Sequence, residues 1–492
     1  MKIGIDFGTT NCTVGSLRAG GKDRFVVGPI PSIGAWSNGA IVFGDAAREL
    51  LQGSRHDVHP IRDLKLLLGR ETVVSIGNAD LNPEDIAAEL FRHLLGKVPS
   101  SGESIDSAVI ATPVRVDAEH RRAMRRAAHK AGLSTVTFVY EPTAALIGAQ
   151  RFAPPDRDGL TLVVDWGGGT LDIAVIQTDG QKFHELSVGG DVSELGGTKI
   201  DGAIASTVLE ADADLSRTLA AIPGSQQRFA DVIEMIKIQI LESLEGKDGP
   251  PVKFFPEWLP RPLVIDRPTV YGVLDAFADR AATSITGKLQ KSGIAARRIT
   301  NVLFAGGVCQ APEVKSRVMR EFPNALERTT VGELHETLHP QNLTGAGCVE
   351  ITARRVLPAL AAGLGVRQSD GSVCVILPAG MLLETNTFRE AEFWVTDPKA
   401  AEAVIELGLV HGTAGAVSMF DASGDGFESL QQIFVPCGLP SGRDSRGALD
   451  IIEMKMGIDM ELCVRISASS RLAQQTADVN QSGIPLILQF RT

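Results

Sequence analysis

Two distant stretches of the chain share one pattern of apolar and polar positions. An apolar run, an acidic residue, a glycine-rich break and a second apolar run occur at Ile3-Gly4-Ile5-Asp6-Phe7-Gly8-Thr9-Thr10-Asn11, continuing through Cys12 to Leu17. The same succession returns at Val163-Val164-Asp165-Trp166-Gly167-Gly168-Gly169-Thr170, continuing through Leu171 to Ile176. Each reads as a hairpin with a tight, backbone-exposed turn. The recurrence implies a duplicated domain, each half supplying one aspartate and one glycine loop. Between them, small and apolar positions at helical spacing (Ala123, Met124, Ala127, Ala128, Ala131) predict a helix from Ala118 to Ala131 capped by Asp117. Its interleaved Arg121, Arg122, Arg125, Arg126 and Lys130 read as a solvated face. A third unit, Asn301 to Ala305, then Gly306-Gly307, then a helix with Pro312 in its first turn, again runs strand, glycine pair, helix. From about residue 350 the texture changes to short Val/Ile-rich runs, Ser372 to Leu377, Ala403 to Val410, Ile451 to Met456 and Leu462 to Ser467, which predict an all-β region.

Composition narrows this picture. With 492 residues, 44% hydrophobic and 22% charged, the chain is of globular type and long enough for two or three domains, each with its own core. Lys+Arg 48 against Asp+Glu 59 leaves a formal charge of −11, which repels phosphate backbones and anionic headgroups, so neither nucleic acid nor membrane is expected as a partner. Six scattered cysteines without a Cys-x-x-Cys pair argue against a zinc site or disulfide framework, and point to a reducing compartment. The N-terminus reads as a strand rather than a leader, and no apolar run approaches 18 residues, so a cytoplasmic location is expected.

A Gly-Thr-Thr or Gly-Gly-Gly-Thr loop lets backbone N–H groups approach an anion, with threonine hydroxyls as added donors. Two such loops facing each other would clamp a polyphosphate while Asp6 and Asp165 hold a hydrated Mg²⁺. Together with Gly306-Gly307, these blocks resemble the actin, hexokinase and heat-shock ATPase superfamily, and within it the DnaK-type chaperones of the seventy-kilodalton class. Glu141-Pro142-Thr143-Ala144-Ala145 and Leu195-Gly196-Gly197, ending at Asp201, are similar to further signature blocks of that family. The likeness covers residues 1 to about 350 and fades in the β region.

The resemblance implies a two-lobed, actin-like (duplicated ribonuclease H-like) α/β ATPase domain over 1–350, a linker at 351–357 and a small all-β sandwich at 358–492, where, in a departure from the family, no helical lid is expected. It implies ATP/ADP and Mg²⁺ as ligands, with K⁺ a further candidate. Lys65 would be the catalytic lysine, Thr170 a γ-phosphate contact, and Glu141 with Asp172 would order the water and metal shell. Nucleotide would be held by Gly8, Thr9, Thr10, Asn11, Gly167, Gly168, Gly169, Gly196, Gly197, Gly306 and Gly307, with Glu234 and Lys237 toward the ribose and Gln310 toward the base. Pro113 and Arg121 match the family's proline switch and relay arginine. An unfolded or specific protein client, a J-domain protein and a nucleotide-exchange factor would be the partners.

The chain departs from the family pattern at Leu241, where the family has a serine, and at Val308-Cys309-Gln310, where an adenine-stacking arginine is missing. Residues 351–356, including Arg354 and Arg355, replace a leucine-rich linker. The alternative within the same superfamily is a nucleotide-gated regulatory binding module or a small-molecule kinase. Three features read as incidental: the Asp421, Ser423, Asp425, Gly426 turn with Gln432 in place of a ligating glutamate, the pairs His56/His59 and His335/His339, and Cys12, read as a packed thiol.

Overall fold

A computed structural model describes residues 1–491 apart from 18–23, 53–57, 77–78, 100–103, 150–158, 180–181, 192–193, 223–224, 244–245, 329–339, 354, 384–387, 398, 412–418, 422–425 and 439–448. His56, His335, His339, Arg354, Ser423 and Asp425 lie outside the described residues.

The repeated pattern folds twice in the same way. In the first lobe, Lys2–Asp6 pairs antiparallel with Asn11–Leu17, which pairs with Arg24–Pro31, while Ser107–Thr112 and Thr135–Tyr140 run parallel on the other side. In the second lobe, Leu160–Trp166 pairs antiparallel with Leu171–Asp179, then Lys182–Asp191, and parallel with Ile299–Ala305 on its far side. Every residue of Leu160–Trp166 is buried, as both faces of such a strand are covered. Helices Glu141–Ala149 and Leu343–Thr352 cross against each other next to the two hairpins. The crossing is close enough that a Cβ on Gly148 would stand 2.1 Å from the Leu343 carbonyl oxygen, and one on Gly347 1.8 Å from that of Ala144. Only glycine permits it.

The second sheet does not end at Lys182–Asp191. It continues into Leu486–Arg491 and then Arg355–Leu360, in the order Leu326–Glu327, Ile299–Ala305, Leu160–Trp166, Leu171–Asp179, Lys182–Asp191, Leu486–Arg491, Arg355–Leu360. The stretch 351–357, expected as a linker, therefore holds the end of a helix and the start of a strand. That strand exists because its partner, Leu486–Arg491, returns from the far side of the β region to pair with it across six positions.

Between these two strands the chain forms two antiparallel sheets. One contains Gly363–Arg367, Ser372–Leu377, Glu402–Val410, Met419–Asp421 and Phe427–Pro436; the other contains Phe388–Trp394, Ile451–Ile458, Val464–Ser470 and Thr476–Gln481. Alternate residues of each, such as Leu407, Ile433 and Val435 on one and Met454, Met456 and Ile466 on the other, are buried in a shared apolar layer. Leu462, expected to open a strand, instead sits in a turn at φ +56°.

The helix Ala118–Lys130 forms as expected, with the Asp117 carboxylate accepting from the His120 N–H at 2.7 Å. Its basic face is not uniformly solvated, however. Arg126 and Lys130 pair with Glu84 and Asp85 near the surface, but Arg121 is 0% exposed. The β region packs on that side of the helix and supplies acceptors that local sequence does not announce. Among the described residues no helix is long and apolar enough to cross a membrane.

Candidate active site

The two glycine loops meet face to face. A Cβ on Gly168 would lie 2.3 Å from Thr10 Cγ2, and one on Gly169 2.2 Å from Thr9 Oγ1. The second loop is shaped from behind by the start of helix Gly197–Ala211, whose Gly197 and Thr198 N–H groups donate to the carbonyls of Gly167 (3.0 Å) and Gly168 (2.8 Å). Gly196 and Gly197 thus hold the loop rather than line the cleft.

Between the loops lies a small cleft of about 70 Å³, walled by Asp6, Gly8, Thr9, Thr10, Asn11, Lys65, Glu141, Asp165, Gly167, Gly168, Gly169, Thr170, Gly306 and Gly307. Residues from the two hairpins and from four further segments, at Lys65, at Glu141, at Gly306-Gly307 and at Gln341 with Thr344, converge here, although they are spread over more than three hundred positions of sequence. Thr9 and Thr10 also border a larger cavity of about 1040 Å³ between the lobes, so the cleft opens into it.

Charge is concentrated at this point. Lys65 Nζ lies 2.5 Å from Glu141 Oε1, and both side chains are buried. Burial alone would lower the lysine's pKa, but the Glu141 and Asp6 carboxylates outweigh it and hold Lys65 above its ordinary value. Desolvation, reinforced by repulsion from Glu141, pushes Asp6 well above the usual carboxylate range. The same causes raise Asp165 to about 7, although the Thr344 hydroxyl donates to its Oδ2 at 3.0 Å. Asp172 is raised by burial and by Glu141. The three carboxylates that line the cleft, Asp6, Glu141 and Asp165, around one ammonium make a site that gains from a cation.

The remaining expected residues lie elsewhere. Asp172 does not line the cleft; its Oδ1 accepts from the Val114 N–H at 2.7 Å. Glu234 borders the larger cavity, where Arg62 of the first lobe reaches Asp231 at 2.5 Å and Glu234 at 3.9 Å. Lys237 is turned to Asp201 at 2.6 Å and is not part of the cavity wall. Gln310 lies in the short turn Val308–Gln310, off both walls. Thr344, Gln341 and Arg62 were not foreseen: Arg62 and Gln341 sit in no glycine or acidic block, Thr344 stands just before Gly345-Ala346-Gly347 inside a buried helix, and each reaches the site only through the tertiary fold. Cys12 Sγ lies 3.1 Å from Ser32 Oγ, and burial pushes its thiol up to about 12, in keeping with a packed, inert group.

A chain of buried contacts leads away from the cleft. Asp172 holds Val114; the Arg121 guanidinium donates to the carbonyls of Val114 (3.1 Å) and Pro113 (2.8 Å), and then to the carbonyl of Glu461 (3.0 Å) in the β region. Arg125 adds a contact to Glu461 Oε1 at 2.9 Å.

A duplicated hairpin lobe pair with facing glycine loops and a buried Lys–Glu pair is the architecture of an actin-like ATPase domain. The family model described as Hsp70 protein matches residues 65–333, and the chain belongs to that family. It is similar to the chaperone protein DnaK of Ureaplasma parvum serovar 3, 27% identical over 362 residues, covering 70% of this chain and 57% of the relative. It is 28% identical over 328 residues to DnaK of Metamycoplasma hominis (64% and 54%), and 28% over 344 residues to that of Mycoplasmoides gallisepticum (67% and 57%). The chain thus spans little more than half the length of these relatives.

Proposed function

We infer that this protein binds ATP across the facing loops, hydrolyses it, and couples the nucleotide to a β region that holds an extended peptide or a specific protein client. The observation that carries this reading is the buried Lys65–Glu141 pair, set between Asp6 and Asp165 on the two loops. Phosphoryl transfer asks chiefly for positioning and for stabilisation of charge, with little covalent chemistry from the protein. Backbone N–H groups of the two loops, with the Thr9, Thr10 and Thr170 hydroxyls, would orient the phosphate oxygens. Lys65, kept charged by its carboxylate neighbours, would offset the negative charge that develops at the transferred group. Glu141 would orient the attacking water and accept its proton.

Asp6 and Asp165 fit a hydrated Mg²⁺. Both reach the cleft, both gain from a neighbouring cation, and no group of three His, Cys, Asp or Glu side chains among the described residues is placed to bind a bare metal. The ion, when bound, supplies charge neutralisation across the phosphate oxygens.

Arg121 would carry the state of the cleft from Val114 to the turn at 459–463, in the role expected of a relay. J-domain and nucleotide-exchange proteins are the co-chaperone classes to test for binding. A nucleotide-gated binding module with little turnover is the second reading, favoured by the anchoring of the β region through two strands of the second-lobe sheet.

Calorimetric titration with ATP, ADP and GTP, with and without Mg²⁺, followed by a phosphate-release assay, tests the proposal. Lys65→Ala should leave nucleotide affinity largely intact and lower turnover by roughly 10²-fold, because its charge matters most in the transition state. Equal turnover in the variant would remove Lys65 from the reaction.

A further inference from the structure

Helix Glu141–Ala149 begins on the residue that pairs with Lys65. Its third residue, Thr143, is fully buried, and its hydroxyl hydrogen-bonds to Glu185 Oε1. The other carboxyl oxygen of Glu185 accepts from the N–H of Leu486 at 2.7 Å, across 301 positions of sequence. The ladder between Lys182–Asp191 and Leu486–Arg491 pairs Lys182 with Gln489, Phe183 with Leu488 and His184 with Ile487. The next amide, that of Leu486, turns to a side chain. A register shift in Lys182–Asp191, opposite Val175 and Ile176, lies beside Glu185. Irregularities of this kind re-aim side chains.

Glu185 is 0% exposed, and among the described residues no lysine or arginine is paired with it. A buried acid without a cation is costly, and an apolar residue at an inward strand position would be cheaper. What the acid provides is a two-sided bond, one oxygen to the helix that carries Glu141 and one to the strand that closes the second-lobe sheet.

We propose that Glu185 is a positioning residue for the Lys65–Glu141 pair, fixing the first turn of helix Glu141–Ala149 against the start of strand Leu486–Arg491. The second-lobe sheet and the charge pair in the cleft are thereby set by one carboxyl group. The proposal rests on the reading that Lys65 and Glu141 act in phosphoryl transfer, and goes beyond it by adding a residue that never touches the phosphates.

The test uses the full chain and four variants: Glu185→Gln, Glu185→Leu, Thr143→Val and the double Glu185→Leu/Thr143→Val. Glutamine can still accept from the Leu486 N–H and donate to the Thr143 hydroxyl, so it keeps the bridge; leucine and valine remove it. Hydrogen exchange in residues 144–149 should accelerate about fivefold or more in Glu185→Leu and Thr143→Val, and stay within about twofold of the parent in Glu185→Gln. In phosphate release, kcat should fall about tenfold in the two bridge-breaking variants with KM changed less than about twofold. The double variant should be no slower than Glu185→Leu, because both changes cut the same bridge.

A Glu185→Leu protein with parental exchange in that helix overturns the proposal. So does a double variant whose losses multiply, or a Glu185→Gln protein as slow as Glu185→Leu. If the parent releases no phosphate, the reading of Lys65 fails instead, and the exchange measurement alone decides whether Glu185 holds the helix.

Discussion

The β region is attached to the two lobes by different physics. On the second lobe the joint is main chain: Leu486–Arg491 lies between Lys182–Asp191 and Arg355–Leu360, with Leu486, Leu488 and Phe490 buried and the Phe490 ring edge-on to Phe183 at 5.6 Å. On the first lobe it is side chain: Arg121, Arg122 and Arg125 of one helix reach the turn around Asp459, Glu461 and Cys463. A ladder between strands is hard to open without disrupting the sheet. A set of guanidinium contacts can be exchanged for water and counter-ions. We therefore expect the second-lobe joint to be permanent and the first-lobe joint to be the one that nucleotide can alter, a division that four perturbations can break or sharpen.

Among the substitutions, Leu488→Pro should have the largest effect. It removes a ladder donor from a strand paired on both sides, at a cost of about 3 kcal/mol or more. The second-lobe transition in a thermal melt should drop by roughly 6 °C or more, and a melt like the parent's would show the joint to be dispensable.

Arg121→Met comes next. It leaves the carbonyls of Pro113, Val114 and Glu461 without their buried donor, which should cost about 2 to 3 kcal/mol in urea unfolding, while the second-lobe joint stays closed. Loss of protection in 486–491 in this variant would mean that the two joints are not independent.

The third perturbation is pH. Burial raises Glu185 from an ordinary value near 4.5 to about 8, so the folded state keeps a proton that the unfolded state releases. Its stabilising effect is complete below about pH 4.5, declines as pH rises toward 8, and is lost above that. Relative to Glu185→Gln, which cannot titrate, the parent should lose up to about 1.4 kcal/mol per pH unit within this window. Parallel stability curves for the two proteins would contradict the assignment.

The smallest effect belongs to Arg125→Ala. Removing its contact to Glu461 should cost about 1 kcal/mol at low ionic strength and less in high salt. An effect that does not change with salt would count against the first-lobe joint being electrostatic.

How much of this was legible in the sequence follows from the distance over which each feature is encoded. The aspartate and glycine loops are local, and both hairpins, the Gly306-Gly307 turn and the capped helix Ala118–Lys130 formed where their patterns lie. Lys65 was picked out only by the likeness of its Leu-Lys-Leu-Leu-Leu segment to the family's, since by local pattern it reads as a surface lysine; the segment makes a single helical turn in which the lysine is buried. From the local pattern Arg121 read as one more face arginine of its helix, and only the family resemblance marked it as a relay, because the carbonyl it needs belongs to Glu461, 340 positions away. The strand Arg355–Leu360 looked like a linker for the same reason: its partner lies beyond the whole β region. The base side of the site was least readable. Lys237 and Gln310 occupy positions matching family contacts, yet what decides their direction is a neighbour, Asp201 in one case and the fold of a short turn in the other.

The position of Leu486–Arg491 also sets the order in which the molecule can be finished during synthesis. The strand Lys182–Asp191 is complete long before its neighbour, with Glu185 and Leu486 301 positions apart. At a ribosomal rate of about 5 to 20 residues per second, the outer edge of that strand waits roughly 15 to 60 seconds for the residues that cover it. Through that interval the second lobe presents an open β edge, the kind of surface that invites pairing with other chains. Nascent protein should therefore be most prone to aggregate after the second lobe has emerged and before residue 486 has, and a ribosome stalled in that interval would expose the edge for as long as the stall lasts.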